Sequence, residues 1–329
     1  MTLNPLSPSW FLKYLSTPIS FNSLTVDGGE ISYQRWSNSA KPIQDDLEDG
    51  VEDDSKSISA IRVNKPGLLF VHGYGAHAHW WDFIAPAFLD HYDVIAMDMS
   101  GAGESSHRSI YTATTFAEEI RGVCRDAKLR SPVIVGHSFG GAMTRIAAHL
   151  YGDEFKGIVI VDSAISRHIS SKRGQRPVAA SPRTRVRTRM RHYQSITDGA
   201  RRFRLRPPQP CENKFIVDHI AKHSLASSDQ GFYFKLDQAL FSKLQEDPDT
   251  DLPAAATMVA NCPCQVGFIY GEKSRFFDDE AISTLNELIE PELLHRIPQA
   301  YHHVFLDQPK AFIDSLAQIL KAMNSKNSL

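Results

Sequence analysis

Hydrophobic positions along the chain follow two alternating rhythms. Short, nearly continuous apolar runs rich in Val and Ile occur at 67–71, 93–98, 132–135, 155–162 and 264–271. Runs of that length without in-out alternation predict strands buried on both faces. Between and after them, apolar residues recur at helical spacing at 80–84, 116–127, 141–148, 278–288 and 310–322, with a short further strand at 292–297. Buried strands separated by helices predict an α/β fold, with a mostly parallel sheet covered on both faces. Ahead of them, 24–36 reads as a hairpin, two alternating runs around Asp27-Gly28-Gly29.

The rhythm lapses from 163 to 251, where Arg runs and Pro207-Pro208 surround helical pieces at 215–223 and 232–244. The chain is therefore divided into an N-terminal extension (1–21), a first core part (22–162) with an exposed acidic loop at 37–59, a helical, Arg-rich cap (163–251) and a second core part (252–329).

Composition adds exclusions. In 329 residues, 42% hydrophobic and 22% charged content is ordinary for a globular chain. No apolar run reaches the ~18 residues of a membrane span, and residues 1–21 lack the basic and apolar regions of a signal peptide. Four scattered cysteines are too few for a disulfide framework, and Cys262-Pro263-Cys264 has no second pair at ligand spacing, so inert thiols at a strand entry are expected. These features point to a cytoplasmic enzyme. The net charge of −2 hides an asymmetry: seven acids and no base at 44–54, and 13 Lys or Arg against Asp198 alone at 167–206. Two solvated segments account for this, and a basic cap recruiting an anionic substrate is the alternative. With no recognisable module, nucleic-acid binding is not expected.

The chemistry centres on 132–141. Val133, Ile134 and Val135 run into Gly136-His137-Ser138-Phe139-Gly140, and a helical pattern follows. Strand, tight turn and helix in that order hold a central serine in a strained conformation, exposed above the sheet at a helix N-terminus. Serine needs a base, and usually an acid to orient that base. The downstream order Ser138, Asp162, His302 is one in which such groups gather at the carboxyl ends of parallel strands.

With His72-Gly73-Tyr74-Gly75, Asp98-Met99-Ser100-Gly101-Ala102-Gly103-Glu104-Ser105, the Ser138 motif, and His302 ahead of Leu306-Asp307-Gln308-Pro309, the chain resembles the α/β-hydrolase superfamily over about residues 22–322. The branch it resembles is that of capped hydrolases, which includes haloalkane dehalogenases, epoxide hydrolases and serine-hydrolase-like proteins. The cap phrases 202–210 and 232–237 are similar to the serine-hydrolase-like group. The resemblance implies Ser138 as nucleophile, which disfavours the dehalogenase and epoxide hydrolase chemistries that use Asp there. It implies His302 rather than His303 as base, from its spacing to Pro309. It also implies an oxyanion hole of the Tyr74 and Phe139 amides, with His72 and His137 as hydrogen-bonding supports. In many relatives the acid follows the strand ending at Gly271, where this chain has Ser274. Asp162 is the alternative, Asp278 or Asp279 a second, and a site with no working acid a third.

The expected activity is hydrolysis of a small or medium carboxylic ester through an acyl-enzyme, with no metal, nucleotide or flavin. Cap aromatics Phe203, Phe215, Phe232, Tyr233 and Phe234 would line an acyl pocket or pack cap on core. A thioesterase or carbon–carbon bond hydrolase acting on an anionic substrate, and a non-catalytic ligand-binding protein, are the alternatives.

Overall fold

A computed structural model describes residues 7–37, 65–165, 190–247 and 250–325. Most of the acidic loop (37–59) and the densest Arg run of the cap (167–189) lie outside the described residues.

The chain opens with α1 (Ser9–Leu15), then the hairpin β1 (Ile19–Val26) and β2 (Gly29–Trp36), paired antiparallel across Asp27-Gly28. Here the structure differs from the expected extension. Trp10, Phe11 and Tyr14 share one helix face, and Phe11, 1% exposed, packs edge-on to Phe215 at 4.8 Å. Burying that aromatic makes residues 9–21 part of the fold.

Next come β3 (Pro66–Val71), β4 (Asp93–Met97), α2 (Ala113–Asp126), β5 (Arg130–His137), α3 (Phe139–Tyr151) and β6 (Gly157–Val161). Residues 80–84 form no α-helix; the segment is two 3-10 turns, Ala78–Trp81 and Ala85–Phe88, with Pro86 interrupting further winding. Helix α2 shows why the helical segments form. Thr112 caps its first turn by accepting from the Thr115 amide, and Phe116, Ile120, Val123 and Cys124 bury one face.

The stretch between β6 and the next core strand contains α4 (Ile196–Ala200), α5 (Lys214–His223), β7 (Leu225–Ser228), β8 (Gly231–Phe234) and α6 (Leu240–Lys243). The helical piece expected at 232–244 thus begins as strand over Phe232–Phe234 and is helical only over Leu240–Lys243. Gly231 takes φ 112°, a left-handed turn glycine, and the polar Ser228–Gln230 corner lets β7 and β8 pair antiparallel. The chain closes with α7 (Ala255–Ala260), β9 (Gln265–Gly271), α8 (Asp279–Leu288), β10 (Leu294–Ile297), α9 (Val304–Asp307) and α10 (Pro309–Ser325).

Eight strands form one sheet in the order β1-β2-β4-β3-β5-β6-β9-β10. From β4 to β10 every pairing is parallel, and the β1–β2 ribbon is antiparallel. The carboxyl ends of β3, β5, β6 and β9 therefore lie side by side. The inserted segment reaches the neighbouring loop beyond β4, where the Gly103 amide donates to the Lys235 carbonyl (3.0 Å) and Ala102 bridges Leu236.

Candidate active site

Ser138 sits between the end of β5 and the start of α3 at φ 53°, ψ −117°, a conformation that costs a side-chain-bearing residue on the order of 1–3 kcal/mol. The turn closes because its flanks are glycines. A Cβ on Gly136 would strike Thr144 Oγ1 and lie 2.6 Å from the Gly140 carbonyl oxygen; one on Gly140 would strike the His72 carbonyl. Helix α3 is thereby seated directly against β3 and β5.

His302 lies on the loop between β10 and α9. Ser138 Oγ donates to His302 Nε2 at 2.9 Å, and His302 Nδ1 donates to Asp162 Oδ1 at 2.7 Å. Asp162, just beyond β6, takes φ 45°, a left-handed turn that Asp tolerates better than most residues. It is fully buried, and it also accepts from the Gly271 amide (2.8 Å) and the Ser274 hydroxyl (2.7 Å). Ser274 stands at the strand end where many relatives carry the acid, and here it serves the carboxylate of the neighbouring strand. Asp278 caps α8 by accepting from the Ala281 amide (2.9 Å), and Asp279 is exposed in that helix's first turn. Of the acids weighed from the sequence, Asp162 is the one that meets His302.

Burial is the first influence on both partners. It lowers His302 to about 4, with Arg275 adding to the effect, and raises Asp162, opposed by the Gly271 and Ser274 hydrogen bonds. The His302 ring is thus neutral at pH 7, with its proton on Nδ1 and its lone pair toward Ser138.

The other histidines make different bonds. His72 accepts from the Met99 amide at Nε2 (3.0 Å) and donates from Nδ1 to the Gly73 carbonyl (2.8 Å), bracing the Gly73–Tyr74 loop. His137 Nε2 donates to the His302 carbonyl (3.0 Å), and burial lowers it to about 3. His303 is buried beside Trp80 at 5.3 Å between ring centroids, and its amide donates to Gln209 Oε1 (2.9 Å).

Tyr74 and Phe139 flank Ser138. Phe139 opens α3, so its amide is among those a helix leaves without an intrahelical acceptor. The Tyr74 loop is as close: a Cβ on Gly73 would lie 3.2 Å from Ser138 Cβ. A cavity of about 10 Å³, the room of one water, lies beside both residues, lined by Met99, Phe116, Leu236 and Leu240 among others.

The chain matches a family model described as the alpha/beta hydrolase fold over residues 66–200. It is 32% identical over 99 residues to the uncharacterized hydrolase YugF of Bacillus subtilis, covering 30% of this chain and 36% of that one. It is also 30% identical over 131 residues to esterase Rv0045c of Mycobacterium tuberculosis, covering 38% and 43%. The crystal structure of Rv0045c superposes with a TM-score of 0.63 at 19% identity, over 97% of this chain and all of that one. E-2-(acetamidomethylene)succinate hydrolase superposes at 0.67 and 17% identity, over 92% and 100%. The chain has the α/β-hydrolase fold. The structural likenesses, at those identities, are likenesses of fold, and the matched stretch spans less than half the length of either curated relative.

Several contacts of this site are not legible in the sequence. Gln209 donates to both carboxylate oxygens of Asp307 (3.0 and 2.9 Å), and the Tyr301 amide donates to Asp307 Oδ2 (2.7 Å). The inserted segment is thereby tied to the loop that carries His302. Both residues lie in phrases that carry the resemblance, but the pairing spans 98 positions and no local pattern encodes it. Phe241, rather than the aromatics singled out in the cap, reaches Tyr74 (4.4 Å) and Phe139 (5.6 Å), while Phe215 packs on α1. Among the described residues no helix is long and apolar enough to cross a membrane.

Proposed function

We propose that this chain is a serine hydrolase that cleaves a carboxylic ester through an acyl-enzyme. The observation that carries the reading is the unbroken relay Ser138 Oγ, His302 Nε2, His302 Nδ1, Asp162 Oδ1, with steps of 2.9 and 2.7 Å.

In this reading His302 takes the Ser138 proton as the oxygen attacks the ester carbonyl. The imidazolium so formed is held by the Asp162 carboxylate, which stays ionised. The Tyr74 and Phe139 amides receive the oxyanion, and a preorganised donor of this kind contributes about 3 kcal/mol to the transition state. His302 then protonates the leaving alcohol, and the reverse sequence with water releases the acid. The names of the curated relatives, one an esterase and one a hydrolase, are in keeping with this chemistry.

A second reading, a thioester or other anion-bearing substrate, is favoured by two exposed cations. Arg275 lies over the Phe276 ring at 5.6 Å, and that ring is 4.7 Å from the His302 ring. The Arg206 side chain comes within 3.6 Å of where a Cβ on Gly75 would stand, next to Tyr74.

A fluorophosphonate probe and a p-nitrophenyl ester series of rising acyl length test the main reading. Labelling confined to Ser138, with turnover of at least one ester, is expected. A folded protein that neither labels nor turns over any ester would reject it in favour of a ligand-binding role.

A further inference from the structure

We infer that His79, Asp82 and His223 form a binding site for a divalent first-row transition cation, clamping the inserted segment to the core. Each offers one ligand atom, and the three atoms lie within 4.8 Å of one another. His79 and Asp82 stand on and just after the first 3-10 turn beyond β3, and His223 ends α5, so the site joins two parts of the chain far apart in sequence.

Asp82 is 3% exposed and organises the cluster. Its Oδ2 accepts from His79 Nδ1 (2.9 Å) and from His219 Nε2 (2.8 Å), and its Oδ1 accepts from Gln34 Nε2 (2.8 Å). Gln34 and His219 thus fix the carboxylate from outside the ligand set, as partners of metal-binding carboxylates commonly do. His223 stacks on His79 with ring centroids 4.1 Å apart, and among the described residues its ring nitrogens have ring neighbours but no hydrogen-bonding partner. Two stacked imidazoles gain little from each other without a shared ligand. A cation between them and Asp82 supplies it.

Two imidazoles and a carboxylate suit zinc, nickel or copper better than magnesium or calcium. Zinc–nitrogen and zinc–oxygen bonds near 2.1 Å would need the ligand atoms to draw in to about 3.4 Å from one another. That is a modest closure, and a fourth position is left for water. His79 and His223 are partly exposed, which provides a path in from solvent. The nearby cation Lys235 is paired with Glu104 at 2.5 Å.

The test uses tag-free protein treated with chelator, then zinc titration by calorimetry, thermal melting with and without zinc, and visible absorption after cobalt addition. Wild type is expected to bind one zinc, melt higher with it, and give tetrahedral cobalt bands. His223→Gln should fold and melt as wild type without metal, yet bind zinc at least about tenfold more weakly. A Cys262→Ser/Cys264→Ser variant should bind as wild type. Failure of wild type to bind, binding unchanged by His223→Gln, or binding abolished by His302→Gln instead would each overturn the inference.

Discussion

The Ser274 hydroxyl donates to Asp162 Oδ1 at 2.7 Å, the same oxygen that accepts from His302 Nδ1. Side chains from beyond β9 and β10 therefore converge on one carboxylate oxygen at the end of β6. Asp162→Asn is expected to lower kcat on a p-nitrophenyl ester by about 10⁴, because the ring loses its anchor and favoured tautomer. Adding Ser274→Asp in that background should recover at least about tenfold by returning a carboxylate within reach. Equal activity of the single and double variants would show that the ends of β6 and β9 are not interchangeable.

Ser138→Ala should abolish fluorophosphonate labelling and lower kcat by about 10⁶, as loss of a triad nucleophile does. Residual turnover within a factor of ten of wild type would place the nucleophile elsewhere.

The pH profile follows from His302. Its imidazole must be neutral to accept the Ser138 proton, and burial holds it below its ordinary value, to about 4. Activity is thus expected to fall as acid protonates the His302–Asp162 pair. The acid limb of kcat/KM should lie below pH 6.5 and belong to the His302–Asp162 pair together. A limb above 6.5 would contradict the buried, neutral ring.

Gly140→Ala would drive a methyl into the His72 carbonyl, an atom of the backbone that cannot rotate away. A loss of about 1–3 kcal/mol is expected from overpacking of this kind. Chemical denaturation measures it, and a change under 1 kcal/mol would mean that α3 stands off from β3.

If Arg206 and Arg275 recognise an anion, KM for an anionic ester should rise with ionic strength while that for a neutral ester stays level. Parallel responses would remove the two arginines from substrate recognition.

Much of this architecture was legible because the buried strands are continuous apolar runs. The Gly136 to Gly140 turn is likewise local, so Ser138 was readable from five residues. Asp162, in contrast, competed with other acids, because its pairing with His302 spans 140 positions and depends on a left-handed turn after β6. The β7–β8 hairpin was obscured because Phe232, Tyr233 and Phe234 are all partly buried and show no alternation. Helix α1 was hidden among prolines, and Phe11 found its partner on the far side of the sequence.

The cavity beside Tyr74 and Phe139 holds about 10 Å³, and Leu236 and Leu240 of the inserted segment help close it. The same segment grips Asp307 through Gln209 and so braces the loop of His302. One stretch of the chain thus both walls the space beside Ser138 and steadies the loop on which His302 stands.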